Sequence, residues 1–163
     1  MMYHREGEQY DFEYPLDRNL FKLQGILNAE QMTHPTAKDF NGNLVRLVIK
    51  NGYTTGITID FLSRFLSRVR LYGLTGTFDS IEAPVLPYSE NKYFGAFSRG
   101  GDSGAIVGAS VGTADCPEGM YASLLTGGTG PSDRVDITYT TPLNWLWYKV
   151  IVAKFPGAVL YWN

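Results

Sequence analysis

FSRGGDSGAIV, residues 97–107, is the stretch on which the reading of this chain turns. At its centre, Gly101-Asp102-Ser103-Gly104 sets a serine hydroxyl between glycines, next to an acidic residue. A serine hydroxyl becomes a useful nucleophile only when a base takes its proton and paired donors hold the oxyanion that forms. Glycine on either side lets successive N–H groups point into one small space and leaves room for a reacting group. Ser103 is therefore a candidate nucleophile, with the N–H groups of Gly101 and Ser103 as candidate oxyanion donors. The same four residues also suit a glycine-rich β-turn in which Asp102 bonds its own backbone. A nucleophile elbow of the G-x-S-x-G kind is disfavoured, because Ala105 stands where its last glycine belongs.

The surroundings of this loop read as strands. LVRLVIK (44–50) is a strand by its β-branched and alternating content, and Asn51-Gly52 predicts the turn of a hairpin that returns through 53–59. Further runs at 93–98, 104–110, 120–126 and 135–141 are separated by Gly, Pro and Asp clusters at the spacing of a sandwich or barrel. Residues 60–73 fit both periods and are taken as strand; 20–27 is a candidate first strand, and 28–43 a loop or short helical turn followed by a β-turn. Residues 1–19 read as an extended or loosely ordered lead-in, and 20–163 as one domain. Near the end the period changes: Leu143, Leu146, Trp147, Val150 and Ile151 repeat at helical spacing after Pro142, which predicts a terminal helix over 142–155. The expected fold is all-β, a single antiparallel barrel with a C-terminal α-helix.

Composition supports one globular domain, with 163 residues, 44% hydrophobic and 18% charged. Fourteen basic against sixteen acidic residues, spread along the chain, argue against a nucleic-acid partner. The lone Cys116 excludes an internal disulfide, and no cluster has metal-ligand spacing, so no metal or cofactor is expected. No run approaches the length of a membrane span or a signal-peptide core, which predicts no membrane partner and, if Met1 is the true start, a cytoplasmic protein. TGGTGPS (126–132) lacks the lysine and following helix of a phosphate-binding loop.

Three segments in order, LVIKNGYTTGITI, FSRGGDSGAIV and LLTGGTGPSDRVDITYTTPLNWLW, resemble the C-terminal barrel of chymotrypsin-like (trypsin-like) serine proteases, including fungal trypsin-like domain proteins with a K-x-G-x-T-T-G-x-T hairpin. The resemblance spans residues 20–155. It implies that Ser103 is the nucleophile and that Gly101 and Ser103 supply the oxyanion hole. It implies that Thr126, Gly127 and Gly128 pair with substrate backbone and line the primary pocket, with Ile137 to Tyr139 as another wall. Phe97 and Ser98 would lie at the pocket base, so the pocket is expected to be apolar and part-filled by Phe97. Asp102 becomes a structural hydrogen-bond or ion-pair acceptor beneath the loop, and Gly104 a structural glycine.

In that family the base histidine and its orienting aspartate come from a preceding barrel. Residues 1–19 are too few for six strands, so that barrel is expected to be absent from this sequence. His4, in the lead-in, and His34, beside Pro35, read as surface residues. The expectation is a serine endopeptidase-like domain that is incomplete and inactive alone, with a peptide or protein as substrate or ligand and either the missing barrel or a second copy as partner. The alternative is a pseudoprotease that binds peptides by strand addition.

Overall fold

The structure, a computed structural model, describes residues 22–39, 41–87, 96–110, 116–117, 119–129 and 136–160. The proposed lead-in, residues 93–95, His4 and the second half of TGGTGPS lie outside them. The described residues form eight strands: β1 (Gly25–Ile26), β2 (Arg46–Gly52), β3 (Gly56–Leu62), β4 (Ser67–Gly73), β5 (Gly76–Leu86), β6 (Ile106–Ala109), β7 (Met120–Gly128) and β8 (Thr138–Pro142). A five-residue helix, α1 (Ala29–Thr33), is closed by a capping box in which Asn28 and Gln31 bond each other's backbone N–H.

Six strands close on themselves. Strand β2 pairs antiparallel with β3 and β6, β3 with β5, β5 with β8, β8 with β7, and β7 with β6, so the ring has no free edge along its paired length. The all-β expectation is met. Inside the ring pack Val48, Leu62, Ala83, Val85, Phe97, Val107, Ala109 and Leu125, each nearly or fully buried. Because side chains alternate along a strand, Arg46, Val48 and Lys50 of β2 share the face that carries Val48 into this core. Strand β1 adds to β7 in parallel, and the β4–β5 ribbon runs beyond the ring with Leu71, Tyr72 and Phe78 exposed.

Three local expectations change. The hairpin turn falls at Tyr53–Thr55, with Gly56 at φ 64°, while Asn51 and Gly52 remain in β2. Gly52 makes room instead of turning the chain, since a Cβ there would collide with the Asp102 carboxylate. Strand β5, the longest among the described residues, carries no strand signal in the sequence because Asp79, Glu82 and Pro84 break its apolar alternation. Pro84 is tolerated because its backbone faces the end of β3: its carbonyl accepts from Ser63 N–H at 2.8 Å, just past the last β3–β5 pair, Leu62 with Val85, where the ladder needs no N–H from residue 84. Ala96 to Ser98 form no strand; their backbone is held by side chains instead.

The terminal helix is present as α2 (Leu143–Trp145), a π-helical stretch (Leu146–Ile151) and α3 (Val152–Lys154). The wider π turn leaves Leu146, Trp147, Val150 and Ile151 half-buried, while Leu143 is buried. Leu62→Ala, inside the ring, is expected to cost about 2–5 kcal/mol in urea unfolding, whereas Leu71→Ala on the ribbon stays within about 0.5 kcal/mol.

Candidate active site

The loop from Phe97 to Ala105 is tied to the tip of the β2–β3 hairpin. Asp102 is buried with 1% exposure, and among the described residues the polar contacts of its carboxylate come from nearby backbone and the hairpin. Thr54 N–H donates to Oδ1 at 2.6 Å and Thr55 N–H to the same atom at 3.3 Å. The Thr55 hydroxyl donates to Oδ2 at 2.7 Å, and Arg99 N–H to Oδ2 at 3.0 Å. Lys50, also fully buried at its side chain, lies 3.5 Å from Oδ2. Its ammonium donates to Gly56 O at 3.2 Å and sits 5.4 Å from the Phe97 ring centroid.

Burial alone would push the Asp102 carboxyl toward its neutral form. The Thr55 hydroxyl and the N–H groups of Arg99, Thr54 and Thr55 outweigh it and hold the carboxyl far below the ordinary carboxylate range. Burial pulls Lys50 below its ordinary value, opposed by the charges of Asp102 and Asp60. At neutral pH this is a buried ion pair with its hydrogen bonds satisfied.

With Asp102 fixed, the loop's backbone is fixed as well. Asp102 N–H donates to Arg99 O at 3.0 Å, and Ala105 N–H to Asp102 O at 3.0 Å. Gly101 has φ 102° and is not matched by a positive φ at Gly100, so Arg99–Asp102 is a type II turn whose third position requires glycine. Gly104, at φ 87°, has the same requirement. The Thr54 hydroxyl donates to Gly100 O at 2.8 Å. In a trans peptide the N–H opposes the C=O, so Gly101 N–H is directed away from the hairpin, and Ser103 N–H is directed away from Ala105 by the same rule. Neither N–H takes an acceptor among the described residues. Ser103 is exposed. A reacting group thus meets a free hydroxyl and two unspent donors on one turn.

The loop is joined to β7 by Gly104 N–H to Leu125 O, 2.8 Å, and Leu125 N–H to Ala105 O, 3.0 Å. Pairing with β6 stops there. From Thr126 to Gly128, β7 pairs only with β8, and its other edge is open among the described residues. The Thr126 hydroxyl donates to Tyr139 O at 3.1 Å and lies 3.4 Å from Glu82 Oε2, which also accepts from Thr141 at 2.9 Å. Glu82 is itself buried. Gly128 packs closely, since a Cβ there would lie 3.1 Å from Ile137 O and 3.8 Å from Ser98 Oγ. Ser98 Oγ in turn is 2.6 Å from Thr138 Oγ1. The expected pocket residues Gly128, Ser98 and Ile137 are therefore brought together, with Gly127 and Tyr139 adjacent in the β7–β8 ladder.

Phe97 differs from the other pocket residues: its ring, 3% exposed, belongs to the barrel core beneath Lys50. Arg99 is exposed, and its charge acts on Asp136, whose carboxyl burial pushes up and Arg99 draws down. His34 is exposed at the end of α1, its Nδ1 3.0 Å from Thr33 Oγ1; no histidine reaches Ser103 among the described residues. Among those residues no group of three or more His, Cys, Asp or Glu could hold a metal ion. Sequence reasoning missed Lys50, Thr54, Thr55 and Glu82 as site residues. The available signal was the threonine pair that follows Asn-Gly, with a loop acid in need of donors; nothing in the strand run marks Lys50 as inward.

Lys50→Met leaves a buried carboxylate without its cation and is expected to cost about 3–5 kcal/mol in chemical unfolding. The pH dependence has a definite sign. Asp102 ionises more readily folded than unfolded, so its contribution is present above the ordinary value near 3.8 and is lost as pH falls below it. Unfolding free energy measured through that acid range should fall less steeply in Asp102→Asn than in the unaltered chain.

No protein-family model and no curated protein matches the chain. Solved structures do. A glutamic acid specific serine protease, described as using a novel histidine triad in substrate binding, matches with a TM-score of 0.52 and 15% identity, over 98% of this chain and 64% of that one. The chain thus spans 64% of that protease's length. Weaker matches are the Nocardiopsis protease NAPase, with a TM-score of 0.46 and 16% identity over 78% of this chain and 50% of that one, and Cellulomonas bogoriensis chymotrypsin, with 0.41 and 20% over 68% and 46%. The closed barrel and the first of these matches agree: the fold is that of the chymotrypsin/trypsin-like serine proteases.

Proposed function

We infer that this chain is the nucleophile-bearing barrel of a serine endopeptidase-type domain. Ser103 Oγ attacks a peptide carbonyl, the N–H groups of Gly101 and Ser103 hold the oxyanion, and the substrate lies extended along Thr126, Gly127 and Gly128. One observation carries this reading. The open edge of β7 begins at the residue after Leu125, whose carbonyl takes the Gly104 N–H, so a strand added there runs directly past Ser103.

Peptide hydrolysis also needs a base at Ser103, and none of the described residues supplies one. The base and its orienting acid come, on this reading, from a companion barrel or another copy, and the barrel by itself does not turn over peptides. The apolar side chains exposed on the β4–β5 ribbon favour such a partner. The histidine triad of the glutamic acid specific protease is not reproducible here, since the sequence holds two histidines. A second reading, peptide binding without hydrolysis, draws on the same open edge and needs no base.

Even without a base, an oxyanion site and an exposed serine leave residual acyl transfer. With p-nitrophenyl acetate, Ser103 Oγ bonds to the acetyl carbon, p-nitrophenolate departs and the serine proton passes to water. Intact-mass and peptide mapping should place the added acetyl on Ser103, and Ser103→Ala should remove it. Acetylation confined to lysines would refute Ser103 as nucleophile. Gly128→Val is expected to weaken binding of an extended peptide; unchanged affinity would remove the β7 edge as its seat.

A further inference from the structure

The base of the pocket is defined by two hydroxyls rather than by an apolar ring. Phe97 turns into the core, and the next residue, Ser98, meets Thr138 at 2.6 Å. Thr138 is fully buried and Ser98 half-exposed. A hydroxyl pair has one donor between its oxygens, and the direction of that bond follows from what else each proton can reach. If Ser98 donated to Thr138, the Thr138 proton would be buried without an acceptor among the described residues, an arrangement folded proteins avoid. Thr138 therefore donates to Ser98, and the Ser98 proton is left facing the half-exposed side.

That side opens beside the substrate edge. Ser98 Oγ lies 3.8 Å from where a Gly128 Cβ would be, which puts the hydroxyl in contact range of the strand segment whose edge is unpaired among the described residues. None of the described residues brought together here, Ser98, Gly128, Ile137 and Thr138, carries a carboxylate to attract a cationic side chain. In the flanking segments the charge of Arg99, next to Ser98, favours the ionised form of Asp136, next to Ile137.

We propose that Ser98, oriented by Thr138, is a specificity-determining residue that selects a substrate side chain ending in an oxygen acceptor, a carboxamide or carboxylate, over apolar and cationic ones. This rests on the reading of the Thr126–Gly128 edge as the substrate seat. A single unmatched hydroxyl is worth roughly three- to tenfold in affinity.

The test uses four acetylated tetrapeptides that differ only in a C-terminal glutamine amide, glutamate amide, leucine amide or lysine amide, titrated into nitrogen-15-labelled Ser103→Ala protein. The expected result is saturable shifts at the Ser98, Gly128 and Thr138 amides, with the glutamine and glutamate peptides about three- to tenfold tighter than the others. Ser98→Ala should erase the difference and Ser98→Thr should keep it. Equal or tighter binding of the leucine or lysine peptide, a preference that survives Ser98→Ala, or shifts that avoid these amides would each overturn the proposal. Titration requires no turnover, so failure of Ser103 acetylation and failure of this selectivity are read separately.

Discussion

Everything at the site hangs on a charge that had to be buried. The Asp102 carboxylate sits inside the barrel end, and a carboxylate removed from water is tolerable only when it is paired and fully hydrogen-bonded. Lys50 supplies the opposite charge from β2, and Thr54 and Thr55 supply donors from the hairpin tip. Meeting that requirement fixes where residue 102 lies. Its neighbours in the chain, Gly101 and Ser103, are then held at the surface with their N–H groups outward.

The barrel makes this arrangement possible because the parts come from distant segments. Residues 50–56 and 97–102 meet only once β2 is joined to β6, the strand that follows the loop. Strand β7 brings the third part. Its pairing with β6 ends at the loop, leaving Thr126 to Gly128 with one edge unpaired among the described residues, next to the serine. Glycines at 52, 101 and 128 stand where a Cβ would crowd a neighbour, the Asp102 carboxylate, the Thr54 hydroxyl and Ile137 O in turn.

Much of the nucleophile loop was legible because its residues are contiguous, and Gly-Asp-Ser-Gly declares its chemistry without any tertiary information. The strand pattern was legible wherever β-branched residues alternate, as in Arg46 to Lys50. Lys50 itself was not, because a lysine that closes a strand before Asn-Gly reads as solvent-facing until the ring turns it inward. The Asn51-Gly52 turn misled for a related reason: Gly52 serves space for Asp102 rather than backbone curvature, and Gly56 carries the positive φ. Strand β5 escaped because tertiary pairing overrode its polar and proline content. The pocket floor required knowing that Phe97 points one way and Ser98 the other, which alternation alone leaves open outside a strand.

The central claim is that this turn is shaped to receive an oxyanion bonded at Ser103. A crystal structure of the chain after reaction with a peptidyl aryl phosphonate tests it most directly. The account predicts phosphorus bonded to Ser103 Oγ, its phosphoryl oxygen within hydrogen-bonding distance of the Gly101 and Ser103 N–H groups, and the peptide extended beside Thr126 to Gly128. A phosphoryl oxygen turned to solvent, with the Gly101 N–H directed elsewhere, would contradict it.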